Sequence, residues 1–342
     1  MIILKRLALV FLVMGLFLLG SWRLVNDVLH SPLPLPSEGA QIEVAPGDSL
    51  KAVLLRAAAA GWLPHRRLVE GVARWQGFDA RIHVGEYQIV ANSTAAQLLN
   101  KLVSGDVVRY QVTFPEGITF KVALDLLARA PALTKVITGL DDPQIRALIA
   151  PQTEPEGLFL PETYQYTKGD TDLSVLERAH SALRATLDAA WLDRHAGLPL
   201  KNHYEALILA SIVERESGVP VERPQIAGVF VRRLESGMRL QTDPTVIYGL
   251  GERYQGNLTR AHLRDSSNRW NTYRINGLPP TPIALPGAAA IAAALHPAEG
   301  DALYFVAKGD GSHAFANTLT EHESNVRRYQ LSRTKNYRST IE

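Results

Sequence analysis

The sequence predicts an α+β protein in three parts: an N-terminal transmembrane helix, a small α/β domain and a larger mixed α+β domain. Three observations carry that prediction. An uncharged apolar run opens the chain, a proline-rich stretch follows it, and beyond residue 40 short alternating segments are interleaved with capped, periodic helices. At roughly 100–200 residues per domain, 342 residues make about two folded domains. A chain that is 46% hydrophobic and 20% charged is not a disordered one. Its formal charge of +2 provides no electrostatic footprint for nucleic acid. The absence of cysteine excludes disulfides, Cys-ligated metals and thiol nucleophiles.

Lys5 and Arg6 precede the apolar run Leu7–Gly20, which Trp22 and Arg23 close. The run is shorter than the roughly 20 residues of an ideal span, and Met1–Leu4 and Trp22–Val25 extend it. A cleavable signal peptide is the competing assignment, but no A-x-A-like site follows. Residues 1–25 are therefore expected to be an uncleaved anchor. The positive-inside bias keeps its N-terminus cytoplasmic and places the rest of the chain outside. Residues 26–40 alternate proline with other residues from His30 to Gly39 and predict an extended, semi-rigid linker.

The small domain is expected over 41–111. Ile42-Glu43-Val44 alternates like a strand, Pro46-Gly47-Asp48 turns, and Asp48 or Ser49 caps a helix Leu50–Ala60. A helix Arg66–Gln76, a strand Gly85–Ile89, a helix capped by Ser93-Thr94 and a strand Val107–Phe114 follow. The stretch IEVAPGDSLKAVLLRAAAAGWL resembles the opening of LysM modules, which bind N-acetylated cell-wall glycan. A spacer without binding function has the same local pattern.

The larger domain is expected over 112–342. Helices are predicted at Lys121–Ala128, Leu173–Arg194, Tyr204–Ser217, Arg223–Glu235 and Gly287–Leu295, with a last one through Thr320–Arg328. Ala302–Ala307 reads as a strand. Met238–Tyr248 reads as a polar, turn-forming run, and Asn271–Gly287 as a rigid proline-rich loop carrying amides, hydroxyls and an aromatic ring. Such groups suit sugar recognition, and equally suit a loop with Tyr273 packed beneath it. His313 and Phe315 either line that groove or close a hairpin, and the hairpin is preferred.

No HExxH, GxSxG or Walker motif is present, and Gly249-Leu250-Gly251 lacks the third glycine of a dinucleotide fingerprint. No metal site and no cofactor are expected. The informative stretch is Tyr204–Gly218, apolar almost all the way round and hence a buried helix, stopped by Gly218 and Pro220. Its last turn carries Glu214 and Glu216, which project about 200° apart on a regular helix. Glu216 follows the apolar stripe Leu209, Ile212, Val213; Glu214 follows the more polar Leu207, Ala210, Ser211. Desolvation and the helix C-terminal carbonyls both favour a protonated Glu216, as a general acid requires. The alternative is a solvated pair held by Arg215 or Arg223.

Five segments together resemble the MltG/YceG-like family, membrane-anchored endolytic transglycosylases of bacterial peptidoglycan. They are EGLFLPETYQY (156–166), LASIVERESG (209–218), RLQTDPTVIYG (239–249), NTYRINGLPPTPIALPG (271–287) and ALHPAEGDALYFVAKGDGSHAF (294–315). The resemblance implies cleavage of the MurNAc-β-1,4-GlcNAc bond within nascent glycan strands. The muramoyl 6-hydroxyl attacks its own anomeric carbon, leaving a 1,6-anhydro end, and one carboxyl serves as acid and then as base. It puts the catalytic Glu on Glu216. Beside it, Glu214 is read as a supporting partner, and Gln241, Thr242, Asp243, Asn271 and Tyr273 are expected in the sugar groove. It implies glycan strands as substrate, peptidoglycan synthases as partners, and a single-pass inner-membrane protein with a periplasmic catalytic part. Two other readings remain: a hydrolase using Asp243 or Glu162 as a second carboxylate, and a non-catalytic wall-binding scaffold.

Overall fold

The computed structural model describes residues 2–331, a mixed α+β chain that divides into two compact units. The first comprises residues 1–110 with 165–170, and the second 111–164 with 171–342.

The first unit opens with α1 (Ile2–His30). Its segment Lys5–His30 is long and apolar enough to cross a membrane. Leu9 through Val13 stand exposed along it, whereas Val28 and Leu29, near its end, pack against the unit's core. The extended linker expected from residue 26 starts later, because the helix continues to His30. It is also not free: Leu33 is buried in the same core and its N–H donates to Ser93 O at 2.8 Å. Strand β1 (Ala40–Val44) pairs antiparallel with β2 (Gly85–Ile89), register Ile42 to Tyr87. The inward side chains Ile42, Val44, Tyr87 and Ile89 meet α2 (Leu50–Ala59), α3 (Arg66–Trp75) and α4 (Ala95–Ser104). Thr94 and Gln97 form a reciprocal capping box at the start of α4.

Strands β3 (Arg109–Thr113) and β4 (Thr163–Thr167) form a second two-stranded sheet. The second unit then contains α5 (Phe120–Arg129), α6 (Pro143–Ile149), α7 (Asp172–Leu192), α8 (His203–Glu216), α9 (Arg223–Glu235), α10 (Asp243–Leu250), α11 (Arg260–Arg264), α12 (Ala288–Leu295) and α13 (Leu319–Val326). The hairpin β5 (Tyr304–Ala307) and β6 (His313–Ala316) precedes α13. The core is built around α8, whose residues 206–214 are all buried and which packs against α7, α9, α10 and α12. Within the run read as polar and turn-forming, residues 243–248 belong to α10, with proline in its first turn, where the missing N–H costs no hydrogen bond.

Most of residues 279–287 is buried despite its four prolines. The loop tolerates this in part because three of its N–H groups find buried partners: Ile283 donates to Ser211 Oγ at 3.0 Å, Leu285 to Ile118 O at 2.7 Å, and Gly287 to Glu214 Oε2 at 3.0 Å. Gly157 packs against it at φ +79°, where an added Cβ would meet Pro282 Cβ at 2.3 Å. Neither the left-handed backbone nor a ring locked in the loop yields easily. Gly157→Ala is therefore expected to cost about 2–4 kcal/mol, read as a lowered midpoint of urea unfolding. At Gly287 the three atoms nearest the same position all belong to the Glu116 side chain, which is exposed and can swing away. Gly287→Ala is expected to cost about 1 kcal/mol or less.

Candidate active site

Helix α8 starts at an Asn202 cap, whose Oδ1 accepts the Glu205 N–H at 3.0 Å, and ends at Glu216. Ser217 closes it, its N–H donating to Val213 O at 3.3 Å, and its hydroxyl organises the following turn at Val219. The two carboxylates of the last turn diverge as helical geometry requires. Glu214 is buried: Oε1 accepts from Arg223 Nη2 at 2.7 Å and Oε2 from the Gly287 N–H. Arg223, itself buried, also reaches Glu116 at 3.1 Å. Burial raises the Glu214 carboxyl above its usual range, against the pull of the Gly287 N–H and the Arg223 cation. Glu214 thus ties the helix end to α9 and to the proline-rich loop.

Glu216 is half-buried and faces elsewhere. Its Oε1 accepts a hydrogen bond from the Thr242 hydroxyl. Burial pushes its carboxyl up to about 7; the Thr242 bond opposes this, Asp243 adds to it, and the Arg233 and Arg215 cations oppose it. Two features hold Thr242 in place. Its N–H donates to Thr272 Oγ1 at 3.0 Å, and that hydroxyl also pairs with Thr245 Oγ1 at 2.8 Å. Just before it, Gln241 takes φ +53°, a conformation that non-glycine residues seldom adopt. Arg233 of α9 clamps this bend: Nη1 donates to Leu240 O at 2.8 Å and to Arg239 O at 3.2 Å, while Nε donates to Leu303 O at 2.7 Å. Arg233 is buried and forms no carboxylate ion pair among the described residues, so its field acts on Glu216 and Tyr273.

Four residues singled out in the sequence gather here: Glu216, Thr242, Asp243 and Tyr273. The Tyr273 hydroxyl donates to Asp243 Oδ1 at 2.7 Å, and burial with the adjacent Asp243 charge raises that phenol strongly. Asp243 and Gln241 are exposed. Asn271 departs from its expected place in the groove. It is fully buried, its Nδ2 donating to the carbonyls of His262, Leu263 and Asp265 and its Oδ1 accepting the Tyr273 N–H, so its amide is spent on folding the loop. Glu162 is an exposed side chain whose carboxylate accepts the Thr163 N–H at 2.9 Å, and no hydrogen bond or ion pair among the described residues joins it to Glu216. His313 lies in the β5–β6 hairpin, its ring against Glu222 at 2.8 Å. Sequence reasoning missed Arg233, Thr245 and Thr272. An arginine on the buried face of a predicted helix was the one available signal, and the threonines carried none.

Among the described residues no group of three or more His, Asp or Glu side chains is placed to hold a metal ion. The arrangement offers one carboxyl that is half protonated near neutral pH, anchored through a hydroxyl and flanked by exposed polar groups. Such a group can give up a proton and take one back.

The sequence profile of the YceG-like family matches residues 42–328. Over 338 residues the chain is 29% identical to a protein of Bacillus subtilis named endolytic murein transglycosylase, covering 92% of both chains. It is 25% identical to a protein of that name from Streptococcus pneumoniae D39, covering 94% of this chain but 65% of the longer relative. A solved yceG-like protein of Listeria monocytogenes is 28% identical, with a TM-score of 0.53 over 84% of this chain and 99% of that one. The profile spans well over half of the sequence and includes all five motif segments, and on that ground the chain belongs to the YceG-like family.

Proposed function

We propose that this protein is an endolytic peptidoglycan lytic transglycosylase in which Glu216 alone carries the proton transfers. The observation that carries the reading is the Glu216 carboxyl, raised to about 7 at an accessible helix end. The shared name of the relatives supports the reaction class. Protonated Glu216 delivers its proton to the glycosidic oxygen between MurNAc and GlcNAc, whose bond to the muramoyl C1 breaks as GlcNAc leaves with a free 4-hydroxyl. The carboxylate so formed, stabilised by the Thr242 hydroxyl and the Arg233 field, then takes the proton from the muramoyl 6-hydroxyl as that oxygen closes on C1. No water is consumed. Tyr273, Asp243 and Gln241 would contact the sugars. Residues 1–25 would anchor the protein in the inner membrane with the N-terminus cytoplasmic and the remainder periplasmic. Residues 41–111 would form a LysM-like module that binds glycan, and 112–342 the catalytic domain. In this reading the enzyme ends glycan elongation beside peptidoglycan synthases.

The test is digestion of uncrosslinked glycan by the full chain in detergent, with the products weighed. Anhydromuramoyl ends are expected. Products one water heavier would instead establish a hydrolase, with Asp243, whose charge acts on Glu216, as its second carboxylate. The rate should fall as pH rises through about 7, because the acid form is lost. Thr242→Val removes a bond that favours the carboxylate. The alkaline limb should therefore move to higher pH in that variant, even as the rate at its optimum drops. An unmoved limb would sink the assignment of that limb to Glu216.

A further inference from the structure

A cavity of about 910 Å³ lies elsewhere in the second unit, and Glu216 does not line it. Its volume is that of a small-ligand site, which runs to roughly 300–1,000 Å³. Phe120, Ile145 and Ile149 form an apolar floor, each buried, and the partly exposed Leu140 stands at the mouth. Two rim cations are already neutralised, Lys121 by Glu252 at 2.7 Å and Arg146 by Asp141 at 3.0 Å. Inside, the buried Glu156 takes the Phe120 N–H at 2.9 Å on one oxygen and the Tyr248 hydroxyl at 3.2 Å on the other. Glu154 remains. It is exposed at the cavity wall, forms no ion pair among the described residues, and its charge reaches Tyr248.

An apolar floor with one uncompensated carboxylate suits an amphipathic ligand that carries a cation. The position of the cavity limits the candidates. Helix α10 begins beside Glu216 at Thr242–Asp243 and meets the cavity at Ile247–Tyr248. Five residues of helix advance about 7–8 Å along the axis. Two to three residues of extended peptide cover that distance at roughly 3.3–3.6 Å each. The muramoyl sugar itself bears such a branch, a short peptide on its lactyl group that often includes a diamino acid.

We propose that this cavity binds the peptide branch of the glycan strand, its ammonium group at Glu154 and its aliphatic parts over Phe120, Ile145 and Ile149. The proposal rests on the transglycosylase reading. It gives the enzyme a means to distinguish peptide-bearing strands from stripped ones.

The test is calorimetric titration of the full chain in detergent micelles with an N-acetylmuramoyl tripeptide ending in diaminopimelate, and with the same compound N-acetylated on its free amine. Wild type and Glu216→Gln should bind the free-amine compound alike. Glu154→Lys, Leu140→Trp and acetylation of the ligand should each weaken binding by about tenfold or more. Both substitutions are at exposed positions, and Glu154→Lys carries the test should the tryptophan disturb folding. Affinity unchanged by Glu154→Lys, acetylated ligand bound as tightly as free, or no binding by wild type would each overturn the proposal. Anhydro-end formation from peptide-free glycan is scored on the same preparation, so a failed reaction and an empty cavity are told apart.

Discussion

Glu216→Gln is expected to lower the rate of anhydro-end formation by about 10²–10⁴-fold, the usual weight of a general acid–base group, and to raise stability above neutral pH. The two effects have one origin. Glutamine keeps an oxygen that can accept the Thr242 hydroxyl, so the helix end and the bend at Gln241 retain their geometry. What is lost is the proton. In the wild type the carboxyl titrates near 7 in the folded chain, above its ordinary value near 4.5. A group whose folded pKa is raised contributes its stability below the unfolded pKa and loses it as pH rises through the folded one. At pH 8 the wild type therefore holds a half-buried anion, at a cost of about 1–3 kcal/mol that the neutral amide avoids. Below pH 4.5 the two proteins should unfold together. Product mass spectrometry reads the first effect, and urea unfolding at pH 5 and 8 reads the second. A Gln variant that keeps cleaving glycan would end the single-carboxyl mechanism. One that unfolds like wild type at both pH values would show that Glu216 is not held in a desolvating site.

That arrangement was partly legible in the sequence, and the divide between what could and could not be read is physical. Helix α8 was readable because its apolar residues run round every face and Gly218 and Pro220 stop it, so burial followed from composition. The choice of Glu216 over Glu214 rested on neighbouring side chains, and the resulting divergence of the two carboxylates depends on helix geometry alone. Helix α10 was not readable. Gln-Thr-Asp-Pro has the residues of a turn, and only the packing of Val246 and Leu250 shows that the proline opens a helix. Asn271 failed for a similar reason. An amide in a polar loop can bind sugar or bind its own backbone, and the choice is made by carbonyls 6–9 residues away. Arg233, Thr272 and the cavity around Glu156 depend on contacts between distant segments, which local periodicity does not encode.

Arg223→Leu is expected to be the most destabilising of the substitutions considered, by about 3–5 kcal/mol at pH 8. The guanidinium is the sole ion-pair partner of Glu214 among the described residues, and both side chains are less than a tenth exposed. Taking the cation away leaves a carboxylate that burial already disfavours, with one N–H, that of Gly287, still bonded to it. The deficit should therefore shrink at pH 5, where the uncompensated Glu214 takes up a proton and becomes neutral. It should also shrink in the double variant Glu214→Gln/Arg223→Leu, because a neutral amide can keep the Gly287 bond without a counter-ion. Wild type, the two single variants and the double variant form a cycle whose coupling energy measures the pair. A deficit equal at both pH values, and not relieved by Glu214→Gln, would mean that Arg223 acts by filling space and not by its charge. The same cycle bears on catalysis. Glu214 and Arg223 join the end of α8 to α9 and the loop at Gly287, two residues from the proposed acid. Loss of the pair should therefore lower the rate of glycan cleavage in protein that remains folded, and the Glu214→Gln/Arg223→Leu variant should recover stability more fully than activity.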